Sequence, residues 1–295
     1  MTRESTVVPY GRKPAGPPTT TPQAAGNVEE LRAEVERLRR QNADLQGRVR
    51  THPAIAVAQG ILIERYGLRE LTEAFALMRH VSQRANIKLH QLADALSRVP
   101  GPDTGAHLWF PRRAPTLPPP LHGVDVEQGA GANQGAVLGA ALRRVLTIAG
   151  TDMGNLQLAD RSGLRMEKHT GHPKAFTDFF AFVDGSTTAC SQAAADHEQV
   201  TVRDVATAEV FDEDSRRTIL EAGSRACHSV PLIDGQSLRG VISSHHARPL
   251  AGFSRTQLRE LQITGQAVAR WLTWHRDTVV FDALEELHRL ARAAV

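Results

Sequence analysis

Apolar positions recur along the chain with two different periods, and the change of period divides it in two. Val28, Leu31, Val35, Leu38, Asn42, Leu45 and Val49 alternate spacings of three and four residues. That places them along one seam of a helix, the heptad pattern of a short coiled coil. Asn42 takes an a position, where a buried amide pairs with its twin across a parallel dimer and fixes register. The alternative is a lone amphipathic helix packed on its own domain. His52-Pro53 breaks the pattern. Ile55, Val57, Ala58, Ile61 and Leu62 then form an apolar helical face that Gly67 ends, and Leu71, Ala74, Phe75, Leu77 and Met78 form a second. Leu89, Leu92, Ala93 and Leu96 form a third behind a polar turn at Asn86. The spacing predicts an all-α region over 28–99, a coiled coil followed by a three-helix bundle.

From about residue 132 a different pattern takes over. Residues 134–149 read as a helix, and 154–159 with 164–169 read as a hairpin turned at Asp160-Arg161-Ser162-Gly163. Further strands fit 199–204, 227–233 and 238–246, the last two joined by Asp234-Gly235-Gln236-Ser237, and a long helix runs from Ser254, a plausible N-cap, to His275. The expectation is an α+β domain with a central antiparallel sheet over 132–276. Phe176, Phe179, Phe180 and Phe182 lie at helical spacing and read as core. Phe281, Leu284, Leu287 and Leu290 mark a last amphipathic helix, 277–295, as a candidate second dimer contact. Two stretches rich in Pro and Gly frame the helical region: residues 1–27, read as a disordered tail, and 100–131, read as a partly stiff linker. Trp109 and Phe110 within the linker are large for a free segment, which suits docking on a neighbouring domain.

Composition changes this picture in three places. An apolar share of 41 % is enough for at least one substantial core, and 295 residues exceed the usual size of one domain, so two folded domains plus connectors are expected. The net charge is only +3, yet 31 of the 35 basic residues are Arg, so an anionic partner is permitted without being demanded. Two cysteines, Cys190 and Cys227, are too few for a disulfide framework and lack zinc-type spacing, which suits a reducing compartment. No apolar run reaches the roughly 18 residues of a membrane span, and the first residues lack the apolar core of a signal peptide, so a soluble, cytoplasmic protein is expected. No phosphate-cradling Gly loop, His-Glu-x-x-His run or nucleophile elbow occurs, and the expectation is that the chain is not an enzyme.

Three blocks carry a family resemblance: Ile55-Ala56-Val57-Ala58-Gln59-Gly60-Ile61-Leu62-Ile63-Glu64-Arg65, Glu73-Ala74-Phe75-Ala76-Leu77-Met78-Arg79 with Ser82, and Asn86-Ile87-Lys88-Leu89 with Leu92-Ala93. The segment 31–99 resembles the ANTAR family of RNA-binding antiterminators. The resemblance implies a homodimer that holds paired stem-loops of a nascent transcript and so prevents a terminator hairpin. Arg65, Arg79, Arg84 and Lys88 are the candidates for phosphate contact. Gln59, Ser82, Gln83 and Asn86 are candidate readers of splayed bases, and Ala58 and Gly60 are small enough to let a backbone approach. The family commonly has Lys where this chain has Gln59, and its RNA-binding module usually follows the sensor, whereas here it comes first.

Ala189-Cys190-Ser191-Gln192-Ala193-Ala194, Val200-Thr201-Val202-Arg203-Asp204-Val205, the run 222–232 and the run 238–246 make residues 135–274 resemble a GAF domain. The resemblance implies a pocket that takes a small molecule or stands empty, without naming the ligand. Pocket candidates are Cys190, Cys227, His228 and His245. Strand alternation puts His245 and His246 on opposite faces, so at most one points inward. Two functions follow: a dimeric RNA-binding antitermination regulator with a GAF sensor, or a GAF-based interaction scaffold with a vestigial ANTAR module.

Overall fold

The structure, a computed structural model, describes residues 53–103, 105–127, 129, 131, 133–160, 163–185 and 187–294, together with Glu30, Glu34, Arg37 and Leu38. Residues 1–41 and 42–295 are separate compact units. In the first, Leu38 is helical and 50 % exposed, and Glu34 pairs with Arg37 one turn away. The other heptad residues, Val28, Leu31, Val35, Asn42, Leu45 and Val49, and the tail 1–27 lie outside the described residues.

The second unit opens with the three expected helices, α1 (53–66), α2 (Leu71–Arg84) and α3 (Leu89–Arg98). Gly67 ends α1 in the left-handed conformation (φ +67°) with its N–H on the Ile63 carbonyl at 2.9 Å; a residue with a Cβ would be strained there by roughly 1–2 kcal/mol. Ala58, Leu62, Ala74, Met78, Val81, Leu92, Ala93 and Leu96 form the core of this module. Val57, Leu71 and Phe75, expected on the apolar faces, stand outside it with exposures of 52, 56 and 36 %.

The α+β domain follows. Helix α4 (Gln134–Ala149) starts on Asn133, whose side chain accepts the Ala136 N–H at 3.0 Å. Six antiparallel strands come next: β1 (Met153–Asp160), β2 (Gly163–Thr170), β3 (Phe182–Val183), β4 (Val200–Val202), β5 (Ala226–Asp234) and β6 (Ser237–His246). They lie in the order β3-β2-β1-β6-β5-β4. Asp234 pairs with Ser237, so β5 and β6 are joined by the tight turn Gly235-Gln236, with Gly235 at φ +60°. Short helices α5 (Lys174–Phe179), α6 (Ala189–Asp196) and α7 (Glu213–Glu221) pack on one face, and α4 and the long α8 (Arg255–His275) on the other. Ser254 caps α8 as expected: its hydroxyl accepts the Gln257 N–H at 3.2 Å while the Gln257 side chain accepts the Ser254 N–H at 3.0 Å. Gly265 lets α8 approach the sheet, since a Cβ there would stand 3.1 Å from the Pro231 carbonyl.

The four phenylalanines do not share a helix. Phe176 and Phe180 are buried, Phe179 is 44 % exposed, and Phe182 sits on β3 beneath the Arg165 guanidinium. The chain turns after Phe180, because pairing Phe182 and Val183 with β2 satisfies backbone groups that a longer helix would leave at the sheet edge.

A π-helical turn, Arg276–Val280, carries α8 into α9 (Phe281–Ala293), and α9 returns to the helical module. Ala283, Leu284, Leu287 and Ala291 enter the same core as α1–α3, and Phe281 and Leu290 pack against it. The stripe expected at a dimer contact is therefore occupied within the chain. Three short helices leave a groove that their own side chains cannot close, and α9 fills it. Tyr66 and His288 join α1 to α9 across this core, with the tyrosine oxygen 2.7 Å from Nδ1 and the other ring nitrogen 3.0 Å from the Ala106 carbonyl. A carbonyl only accepts, so Nε2 carries the proton and Nδ1 accepts from the phenol.

The described residues of the segment 100–131 are mostly exposed but anchored at several points. Trp109 is buried in the helical core, its indole N–H reaches the Pro100 carbonyl at 2.8 Å, and its backbone N–H and that of Phe110 donate to Glu285 of α9. Further on, the carbonyls of Thr116 and Gly131 accept the indole N–H groups of Trp274 and Trp271, and Val124 enters the sheet domain's core.

Candidate functional site

Helix α2 buries Ala74, Met78, Val81 and Ser82, and its remaining surface carries Phe75, Arg79 and Gln83 at i, i+4 and i+8. One exposed aromatic ring, one guanidinium and one amide thus line a single ridge. Arg84 is exposed beside them and paired with Glu286 of α9 at 3.3 Å. Asn86 follows in the left-handed conformation (φ +52°), exposed, and turns the chain toward Lys88. Gln59 is half-buried on α1 and donates to the Leu71 carbonyl at 2.7 Å, while Gly60 is exposed with open space beside it.

The remaining candidates face inward or elsewhere. Ala58 is fully buried and serves helix packing, and the Ser82 hydroxyl donates to the Ile87 carbonyl at 2.7 Å, bracing the Asn86 turn. Arg65 lies half-buried over the Trp109 ring, 5.0 Å from its centroid, so it joins the docked segment and not the α2 ridge. Phe75 is the group that sequence reasoning took for core. Its signal was available: Ala74, Met78 and Val81 already define the inward stripe, and Phe75 lies one residue round from it.

Lys88 and His90, at the start of α3, both reach the Glu167 carboxylate of β2, Lys88 through a short ion pair and His90 at 3.6 Å. Gln91 also donates to Gln134 of α4 at 2.7 Å. Burial alone would raise the Glu167 pKa, but the contacts from His90 and Lys88 outweigh it and hold the carboxyl below the usual range. A lysine of the candidate RNA face is thus tied to the sheet domain.

In the sheet domain, alternation puts Asn155 and Gln157 of β1, Cys227 and Ser229 of β5, and Ser243 and His245 of β6 on the face covered by α5–α7. Asn155 pairs with Ser243, which pairs with Ser229, and Cys227 pairs with His245, so two polar rows cross the centre of the sheet. Cys190 of α6 closes the pocket above them. The cavity measures about 30 Å³, space for one or two waters by the usual threshold of roughly 10–15 Å³ each. Among the described residues, Asn155 Oδ1 and Gln157 Oε1 are buried without a hydrogen-bond partner, and so are both ring nitrogens of His172, which stacks on Phe176 at 3.8 Å. Two unmatched acceptors in a small cavity call for a donor-bearing guest.

Of the pocket candidates, Cys190, Cys227 and His245 line this cavity. His245 Nδ1 lies 3.0 Å from the Ser224 hydroxyl, which itself donates to the Ala226 carbonyl, so the neutral ring carries its proton on Nδ1. Burial, with His172 and His246 nearby, pushes the His245 pKa well down. Burial raises both thiols, Cys227 to about 12, so neither supplies a thiolate near neutral pH. His228 points to the other face of the sheet, between Thr201 at 2.8 Å and Gln199 at 2.9 Å, and His246 shares that face beside Phe253. No group of His, Cys, Asp or Glu among the described residues is placed to hold a metal. No helix of the described residues is long and apolar enough to cross a membrane.

Asn155 and Gln157 escaped sequence reasoning because they alternate with Leu156 and Leu158, a pattern that reads as polar-out on a half-buried strand. Here both faces of the strand are covered.

The model of the ANTAR domain matches residues 43–96, and that of the GAF domain matches residues 135–272. No curated protein matches the chain. Among solved structures, similarity extends to the GAF domain/HD domain protein of Geobacter sulfurreducens, 14 % identical over 51 % of this chain and 99 % of that one with a TM-score of 0.42. It extends also to the GAF domain of an Acinetobacter phosphoenolpyruvate-protein phosphotransferase, 15 % identical over 47 % and 81 % with a TM-score of 0.39. A third is free methionine-R-sulfoxide reductase of Neisseria meningitidis with its substrate, 17 % identical over 52 % and 98 % with a TM-score of 0.36. At these scores the likenesses carry no argument about activity.

Proposed function

Since the chain joins an ANTAR domain to a GAF domain that follows it, we propose that it is a cytoplasmic, dimeric regulator that binds paired stem-loops of nascent transcripts and prevents termination. The observation that supports this best is the exposed ridge Phe75, Arg79 and Gln83 with the adjoining Asn86 turn. It offers a ring for stacking on a splayed base, a charge for phosphate and amides for base edges. The GAF domain acts on this surface by two routes: α8 runs through the π-turn into α9 beneath α2, and Glu167 holds Lys88. A ligand of the GAF pocket alters RNA affinity only by preferring one arrangement of these contacts, and RNA then alters ligand affinity by the same factor.

The test is a mobility shift with a tandem-hairpin RNA over a salt series, using wild type and Arg79→Glu. Wild-type affinity should fall steeply with salt, and the variant should bind at least about tenfold more weakly while native mass spectrometry still finds the dimer. A flat salt response, or equal affinity for duplex DNA, would sink the proposal. The scaffold reading draws support from the engagement of Arg84 and Lys88 in ion pairs with Glu286 and Glu167; it expects no change on substituting Arg79 and Lys88 by Glu.

A further inference from the structure

A second cavity, about 630 Å³, opens where α3 of the ANTAR domain meets β1, β2 and β6 of the GAF domain and the π-turn. Pockets for small molecules fall in the range of roughly 300–1,000 Å³, so this one has room for an organic ligand, unlike the pocket on the other face of the sheet. Phe110 and Phe281, stacked with centroids 4.7 Å apart, and Leu158 contribute apolar wall, and four arginines, Arg98, Arg165, Arg239 and Arg276, line the same space.

The charges of the lining do not cancel. Asp94, Asp160 and Glu167 line the cavity too, but each is engaged with a cation: Arg98 at 2.8 Å, Arg165 at 3.1 Å and Lys88. Arg276 has Asp277 at 2.6 Å. Arg239 has no carboxylate among the described residues within ion-pair distance; its Nε donates to the Thr273 hydroxyl at 3.0 Å. Burial lowers its pKa, and Arg276 and Arg98 lower it further while Asp234 and Asp277 act in the opposite sense; the lining itself holds four arginines against three carboxylates. An anion placed there gains charge-assisted hydrogen bonds from a guanidinium that is partly desolvated before binding.

We propose that this junction binds a small organic phosphate, a phosphate head on a flat and largely apolar body, with Arg239 as the principal partner of the head. The walls come from both domains, so an occupant favours their observed arrangement, including the Glu167–Lys88 tie. The site is independent of whether the chain binds RNA.

Titration calorimetry of the full chain with 1-naphthyl phosphate tests it, with inorganic phosphate and 1-naphthol as head and body alone. The whole probe should bind at least about tenfold more tightly than either part, and Arg239→Gln should weaken it about tenfold or more, as expected for a lost hydrogen bond to a charged group. Arg239 also holds Thr273, so Arg98→Gln, on the exposed side of α3, serves as the second variant and should cost a few-fold whether or not the first folds. A probe that binds no better than its parts overturns the proposal, as does unchanged affinity in Arg98→Gln and in a folded Arg239→Gln.

Discussion

The two domains reach their cores by opposite routes. The GAF domain gathers its core from nearly continuous sequence, Val124 and residues 137–272, through hairpins and helices that neighbour one another along the chain. The ANTAR core is assembled from α1–α3, from Trp109 of the intervening segment and from α9 beyond the GAF domain. A unit of about fifty residues buries too small a fraction of its surface to be secure alone. Inserting a sensor between the pieces of one core therefore does more than lengthen a loop: the helix that leaves the sensor supplies Leu284, Leu287 and Ala291 to the core of the ANTAR helices. An ANTAR domain that precedes its sensor thereby receives the sensor's C-terminal helix.

Cutting that dependence is the strongest way to break the comparison. Leu284 and Leu287 are fully buried against the ANTAR helices, and Leu→Ala at such sites costs about 2–5 kcal/mol each. The double variant should lose protection throughout α1–α3 in hydrogen exchange while the sheet of the GAF domain keeps its own. If the amides of α2 and α3 stayed protected, the ANTAR helices would be self-sufficient and the contrast would be lost.

The sequence made the two domains unequally legible for the same reason. Period-two alternation, the turn Asp234–Ser237 and the Ser254 cap are local signals, and the sheet domain follows them closely, from β1 to α8. The strand Phe182–Val183 escaped because it takes its identity from its pairing with Leu164 and Arg165 of β2, and not from its own spacing. In the helical module, the amphipathic stripe of α9 was readable, but its partner was not. Apolar spacing says that Leu284 and Leu287 must be covered, and only the fold says that Leu62 and Met78 share their core. Phe75 failed in the opposite sense, since an apolar residue near an apolar stripe was counted into it. The candidate site inherits these limits: Arg79, Gln83 and Asn86 are exposed as read, whereas Ala58 and Ser82 are structural and Lys88 is held by a glutamate 79 residues on.

Acid sharpens the contrast from the GAF side. His228 and His275 are buried in that domain, and burial lowers each from the ordinary 6.5 to about 4, with His246 adding to the effect on His228. A depressed folded-state pKa means that the unfolded chain takes up the proton first. The stability these rings permit is therefore complete above pH 6.5 and is lost as pH falls toward 4. Each ring contributes about 1.4 kcal/mol per pH unit across that window. Urea unfolding followed through the GAF domain should show its midpoint dropping between pH 7 and pH 5, with a shallower slope in His275→Phe. A midpoint that does not move would mean that both rings escape to solvent or are already protonated in the folded state.

The smallest effect probes the seam between the domains. Glu167→Gln keeps the shape of a side chain only 3 % exposed and removes the charge that Lys88 answers. The pair is half open on the lysine side, at 55 % exposure, so the loss of stability should stay within about 1 kcal/mol. Its effect on RNA should run the other way. A lysine released from its carboxylate is free to neutralise a phosphate, which adds about 0.7–0.9 to the slope of log affinity against log salt and raises affinity a few-fold at low salt. Mobility shifts at three salt concentrations suffice to read both. Were slope and affinity to match wild type, Lys88 would belong to the seam alone, and the GAF domain would reach the RNA face only through α9.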